Sequence, residues 1–401
     1  MKHNKKVRFI LSALYVFSFL TLTGCWSSHE LEEVGLSVGL ALDQGKESSF
    51  EKKLKEQDGL YPKRDILTLT YQFVNPLGTG SNSEGKGQQK AFINISETGD
   101  SVHQMTREFS LRSQLPVFSP HLKVIVISEN LARKYRLEQL LDQFLRNNEI
   151  RPSCLLLISK GQASDTLESK DAKEIPTFRL IGISDNEYRT TRISAPVSLA
   201  KLMGKLQSDS SFLVQNVISA NGEVKFSGAA VIEAKSSKLR GFLNEEELEG
   251  LTWITGKGKG GLVKTYDKET DQQIIYEVKT MKSNITPHIK GNTISFDVNI
   301  ESEGRISENW TVSEKASLKT AEKAVEEEVN RLVDHVLKLM QEDYKVDVAG
   351  FGNELRIHNP KMWEKVKKDW EQTFREASIK YNVQLTITDY GSSEFSKLIP
   401  G

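Results

Sequence analysis

The chain has 401 residues, of which 38% are hydrophobic and 27% charged, a balance that suits several folded cores and excludes an intrinsically disordered polymer. Its 54 basic and 54 acidic residues cancel, so it has no general electrostatic pull toward nucleic acid or anionic lipid.

The first 24 residues hold Lys2, Lys5, Lys6 and Arg8 and no acid, which leaves 50 basic against 54 acidic residues beyond them, a charge of −4. Residues 9–22 form an uncharged run of 14 residues. As a helix this run rises about 21 Å, short of a hydrocarbon core of about 30 Å, so it reads as a signal peptide rather than a transmembrane anchor. No later stretch approaches 18 apolar residues. The run ends at Leu22-Thr23-Gly24-Cys25, which resembles the lipobox of bacterial lipoproteins. Cleavage before Cys25 makes this cysteine the lipidated mature N-terminus, and two acyl chains hold a protein on a bilayer where one gives only marginal binding. The other cysteine, Cys154, sits in the apolar stretch "SCLLLIS" and reads as a small core residue of a strand. With Cys25 lipidated, no disulfide forms within the chain.

Three consecutive domains are expected after the signal peptide (1–24), with mixed β-sheets flanked by helices, an α+β (mixed α/β) class. The N-terminal mixed α/β domain spans 25–206. "VGLALD" and "DILTLTYQFV" read as strands, the second with Leu67, Leu69, Tyr71 and Phe73 alternating with polar residues. Between them a charged stretch, 44–59, is a solvated excursion, and the Gly- and Ser-rich stretch 75–90 is a mobile loop. "AFINIS" follows as a strand, then a helix from Ser101 with Val102, Met105 and Phe109 on one face. "HLKVIVIS" and "SCLLLIS" are continuous apolar strands, separated by a helix carrying Leu137, Leu140, Leu141, Phe144 and Leu145. This pattern predicts a parallel pair with a right-handed crossover. "ASDTLES" is expected to start another helix, and "SAPVSLAKLMGKL" to be a helix opening at Pro196.

A linker at 207–211 opens a small α+β middle domain, 207–268. It contains a hairpin turning near Ser236 and Ser237 and a helix capped by Asn244, with Glu245, Glu246 and Glu247 in its first turn. The C-terminal α+β domain, 269–401, starts with the strands "QIIYEVKT", "SNITPHIK" and "NTISFDVNI". A long helix follows with Leu318, Ala321, Val325, Val329, Leu332, Val336 and Met340, its acidic run 326–328 on a partly solvated face. Asn359-Pro360 caps a second helix with the apolar stripe Trp363, Val366, Trp370, Phe374 and Ala377, and "YNVQLTIT" closes the sheet.

No catalytic constellation emerges. "GKGKGG", 256–261, has the spacing of a dinucleotide loop, but the following "LVKTY" is extended where a helix should open, so a hinge or hairpin loop is expected. The seven histidines are scattered, with none at i+3 or i+4 from another, which argues against a metal site. Cys154 has no evident activating base, and the paired carboxylates at 244–249 and 326–328 read as crowding on helix faces.

"GCWSSHELEEVGLSVGLALD" resembles the start of the Ger(x)C family, the lipoprotein C subunits of nutrient germinant receptors of endospore-forming bacteria. Gly24, Cys25, Trp26, Glu30, Leu31 and Asp43 match the family pattern, while Ser27 stands where Asp is commoner. "FSPHLKVIVISENLAR", "FLRNNEIRPSCLLLISKGQA", "FSGAAVIEAKSSKLRGFLNEEELEGLTWITG" and "DVAGFGNELRIHNPKMWEKVKKDWEQTF" have family counterparts in the same order. The resemblance implies a body tethered by lipid to the outer face of the spore inner membrane, without enzymatic activity or cofactor, partnered with the multi-pass A and B subunits. Such a receptor senses amino acids or sugars. The body is expected to be monomeric alone, to bind no germinant by itself, and to dock on its partners through the side facing away from the tether, with the loops at 75–90 and 256–261 flexing on docking. Two other classes compete: a lipoprotein that itself binds the nutrient, against which stands the lack of a large two-lobed doubly wound pattern, and a cell-envelope enzyme, against which stands the lack of a catalytic motif in the sequence.

Overall fold

The computed structural model of the chain describes residues 35–46, 52–53, 56, 64, 66–79, 89–111, 116–310 and 318–389. Two mixed sheets carry these residues. The larger is built from β1 (Gly35–Gln44), β2 (Leu67–Val74), β3 (Phe92–Gly99), β4 (Val117–Phe118) and β5 (Val124–Ser128). It continues through β6 (Leu155–Ser159), β7 (Val197–Ser198), β8 (Phe212–Ala220), β9 (Glu223–Ile232) and β10 (Leu239–Leu243). The spatial order is β10-β9-β8-β6-β5-β1-β2-β3, with β4 beside β1 and β7 beside β6. Neighbours in the centre, β1, β5, β6 and β8, run parallel, and antiparallel hairpins form both wings.

Every residue of β5 and β6 is buried, because helices cover both faces. After a single turn, α1 (Pro76–Thr79), one face receives α2 (Val102–Glu108), α3 (Glu129–Lys134) and α4 (Leu137–Arg146). The other face receives α5 (Pro176–Ser184), and α6 (Leu199–Leu206) joins the first group. The expected stripes of α2 and α4 point inward: Met105, Phe109, Leu137, Leu140, Leu141 and Phe144 are all buried.

The smaller sheet has the order β11 (Leu262–Tyr266), β12 (Gln273–Lys290), β13 (Thr293–Asn309), β14 (Ser378–Asp389). The first three are antiparallel and β14 joins β13 in parallel. Over it lie α7 (Glu245–Thr255), α8 (Leu318–Lys338), α9 (Phe351–His358), α10 (Pro360–Val366) and α11 (Trp370–Glu376). Asn244 caps α7 as expected: its side chain accepts from the Glu247 amide at 2.9 Å, and Glu247 accepts the Asn244 amide at 2.7 Å.

The stretch 207–268 is divided between the two sheets. Its strands β8, β9 and β10 extend the larger one, while α7 and β11 belong to the smaller. Strand β9 makes the joint by its two-residue period. Ala230 and Ile232 enter the core of the larger sheet, and Ala229 and Val231 enter the core of the smaller.

Several elements differ from their sequence expectations. "ASDTLES" forms only a 3-10 turn, Ser164–Leu167, because the Asp43 carboxylate accepts the amides of Ala163 and Ser164 at 2.6 and 2.9 Å and holds the turn against β1. The helix expected to open at Pro196 starts at Leu199 instead. Val197 and Ser198 are extended against β6, and the Ser198 hydroxyl caps the helix by accepting from the Lys201 amide. "QIIYEVKT" and "SNITPHIK" are one strand, β12. Pro287 is tolerated inside it because β11 pairs only with Gln273–Glu277, leaving the amide side at Pro287 without a ladder to complete. The helix after Asn359 is broken by a 3-10 turn, Lys367–Asp369, into α10 and α11. The short helices α3, α5 and α9 were not anticipated, since six to nine residues give too few turns for a clear period.

Candidate functional site

The lipidation candidate, Cys25, lies outside the described residues, as do Leu22, Gly24, Trp26, Glu30 and Leu31. Of the residues that carry the sequence pattern, Asp43 is placed, and its role is to hold the 3-10 turn after β6. Its carboxyl is raised above the ordinary range because burial outweighs the two amide donors. Cys154 is 1% exposed, and burial pushes its thiol up to about 12, so it is a packed thiol and not a nucleophile. The described histidines stay apart: His288 faces Asp297, His335 faces Glu247, and His358 hydrogen-bonds the Glu354 carbonyl. Among the described residues no group of three His, Cys, Asp or Glu side chains is arranged to hold a metal.

The two acidic runs do meet, at the seam between α7 and α8. Arg331 bridges them, 2.6 Å from Glu246 and 2.7 Å from Glu328. Arg192, arriving from the loop before β7, pairs with Glu249 at 3.0 Å and reaches Glu245 at 4.0 Å. Glu249 is almost fully buried; burial raises its pKa, and Arg192 acts against that rise. This is an ion-paired seam of two arginines and four glutamates. Sequence reasoning singled out the glutamates but not the arginines: Arg192 is far from both runs along the chain, and Arg331, three residues after Glu328, is far from Glu246.

Around the same junction a cleft of about 660 Å³ opens between α6, β7 and β8 on one side and α7, β12 and α9 on the other. Lys201 and Lys205, one turn apart on α6, line it together with Lys257 and Lys259 from the glycine-rich run. Gly256 ends α7 in the left-handed conformation (φ 62°), and an added Cβ would lie 2.4 Å from the Ser283 amide, so the run is a tight helix end. Lys259 pairs with Glu187 at 2.8 Å. Lys205 is half-buried, with its ammonium 5.4 Å over the Phe212 ring, and its pKa is lowered by burial and then by Lys257 and Lys201. The arrangement concentrates positive charge in a concave, partly desolvated site. The lysine pair at i,i+4 was visible in sequence; its convergence with Lys257, more than fifty residues away, was not.

Residues 27–218 match the family described as "Spore germination protein N-terminal domain", and residues 227–391 match "Spore germination B3/ GerAC like, C-terminal". Spore germination protein YndF of Bacillus subtilis (strain 168) is 50% identical over 400 residues, covering 98% of this chain and 99% of that protein. Spore germination protein A3 of the same organism is 31% identical over 94% of this chain and 97% of its own. Spore germination protein B3 is 29% identical over 94% and 96%. Among solved structures, the crystal structure of the GerBC protein aligns with a TM-score of 0.59 at 28% identity, covering 81% of this chain and 94% of that one.

Proposed function

The chain belongs to the Ger(x)C family of spore germination proteins, and on that premise we propose that it is the lipid-anchored, non-enzymatic C subunit of a nutrient germinant receptor. A diacylglycerol on Cys25 holds it on the outer face of the spore inner membrane, and it acts by contact with the multi-pass A and B subunits. The observation that carries the reading is the tetrapeptide Leu22-Thr23-Gly24-Cys25 standing immediately before the residues that match the two germination domains. Among the described residues no helix is long and apolar enough to cross a membrane, and in this reading the lipid supplies the attachment. Partners on the same membrane meet at high effective concentration, so a modest interface suffices.

The test is a Cys25→Ala chain expressed with and without the A and B subunits. Without them, the variant is expected in the aqueous phase of a detergent partition while the parent chain follows the detergent. Full retention of the variant in detergent defeats the anchoring claim. Co-purification of A and B with the tagged parent chain from spore membranes supports the partnership, and their absence from that fraction defeats it.

A further inference from the structure

We propose that the cleft between the two sheets is a binding site for a small phosphate-bearing molecule, its phosphate held by Lys201, Lys205, Lys257 and the hydroxyl of Ser194. The receptor role does not require this site, and the site does not require the receptor role.

The first argument is charge. Among the described residues no carboxylate lies within ion-pair distance of Lys201, Lys205 or Lys257. Of the two acids that line the cleft, Glu187 pairs with Lys259, and Glu354 lies 3.7 Å from the His358 ring. Three like charges are therefore drawn together without a compensating group, an arrangement that an incoming anion relieves. Burial lowers the pKa of the half-buried Lys205, and Lys257 and Lys201 lower it further.

The second argument is independent of charge. Ser194 lines the cleft, is 8% exposed, and its Oγ has no hydrogen-bond partner among the described residues. A buried hydroxyl without a partner is unfavourable and calls for an explanation. The backbone there is held in place, because the Ser194 carbonyl accepts from Gln215 Nε2 at 2.8 Å, and Gln215 in turn accepts from Ser184 at 2.7 Å. On the second sheet Ser283, which also lines the cleft, has a buried Oγ without a hydrogen-bond partner among the described residues.

The third argument selects the ligand. No arginine lines the cleft, so the flat two-pronged geometry that favours a carboxylate is missing. Ammonium point charges with hydroxyl donors suit a compact, multiply charged tetrahedral oxyanion. The cleft is far larger than one phosphate, and Ile193, Leu248 and Leu251 give it apolar wall for an organic remainder.

The test is calorimetric titration of the full chain in a neutral detergent at fixed ionic strength, with glycerol 3-phosphate, with inorganic phosphate, and with chloride as control. Saturable one-to-one binding of glycerol 3-phosphate is expected, with Lys205→Gln and Lys257→Gln each weakening it about tenfold or more. Ser194→Ala should weaken binding severalfold without lowering the melting temperature of the free protein, because its hydroxyl has no partner to lose. Vesicles of phosphatidic acid in phosphatidylcholine, run against phosphatidylcholine alone, separate the sources. Competition between vesicles and the soluble ester supports a lipid headgroup, and binding of the ester without it supports a soluble metabolite. Heats matched by chloride, or affinities unchanged in both lysine variants, overturn the proposal.

Discussion

Trp370 donates its indole N–H to the carboxylate of Asp347 at 3.1 Å, inside the core of the smaller sheet. The same carboxylate accepts the amides of Gly350, Phe351 and Gly352 at 2.8, 3.1 and 2.7 Å, so one buried acid both starts α9 and fixes α11 beside it. Phe296, Trp363 and Phe374 pack against the indole at centroid distances of 5.4–6.3 Å.

Replacing Trp370 by alanine is therefore expected to destabilise the protein by about 3–5 kcal/mol, through the lost ring and the cavity it leaves. Trp370→Phe keeps much of the ring and removes the donor to Asp347, for a smaller loss of about 1–3 kcal/mol. Denaturant unfolding of both variants checks the order. Equal losses, or none, would mean that the stripe is not packed as described.

At the ionic seam, Arg192→Ala leaves Glu249 buried without its main partner. The loss at neutral pH should be on the order of 2 kcal/mol, below the value for a fully buried pair because Arg192 is half-exposed. The sign of its pH dependence follows from Glu249. Its folded pKa is raised, so relative stability is greatest below the unfolded pKa and is lost as pH rises through the folded one. The charges facing it are Arg192, Glu246 on its own helix and Glu328 from α8, so removing the one cation raises that pKa further. The deficit of Arg192→Ala is expected to shrink as pH falls from 7 into the acid range. Melting temperatures of the variant and parent across that range measure it, and a deficit constant with pH would show that Glu249 is not charged in the seam.

Cys154 gives a probe of the larger core. With its thiol pushed up to about 12, the thiolate fraction at pH 8 is lower than that of a free thiol on the order of a thousandfold. In a Cys25→Ala chain, where Cys154 is the remaining cysteine, a disulfide-exchange reagent should release no colour from the native protein at pH 8. One equivalent should appear on unfolding. Prompt reaction in the native state would place Cys154 outside the core.

Much of the fold was legible in the chain because its long elements declare a period. The alternation of Leu67, Leu69, Tyr71 and Phe73 and the three-four spacing of Val325, Val329, Leu332 and Val336 each name a buried face, and the structure buries those faces. The cap of α7 was legible too, since Asn244 and Glu247 interact three residues apart and need nothing distant. The alternation of β9 shows where such reading stops. Ala229 and Val231 alternate with Ala230 and Ile232, and all four are apolar, so the strand gives no sign that its two faces serve different cores.

The sequence by itself determined the strands and long helices with a clear period and the core faces they carry, because these depend on neighbours a few residues apart. Only the tertiary structure decided which core each face joins, which arginines pair with the glutamate runs, and that Lys205 and Lys257 line one cleft with Ser194. Those pairings join residues tens of positions apart. Coulomb attraction, desolvation and packing act through space, and the distance between two side chains is set by the whole sheet order rather than by the spacing of letters.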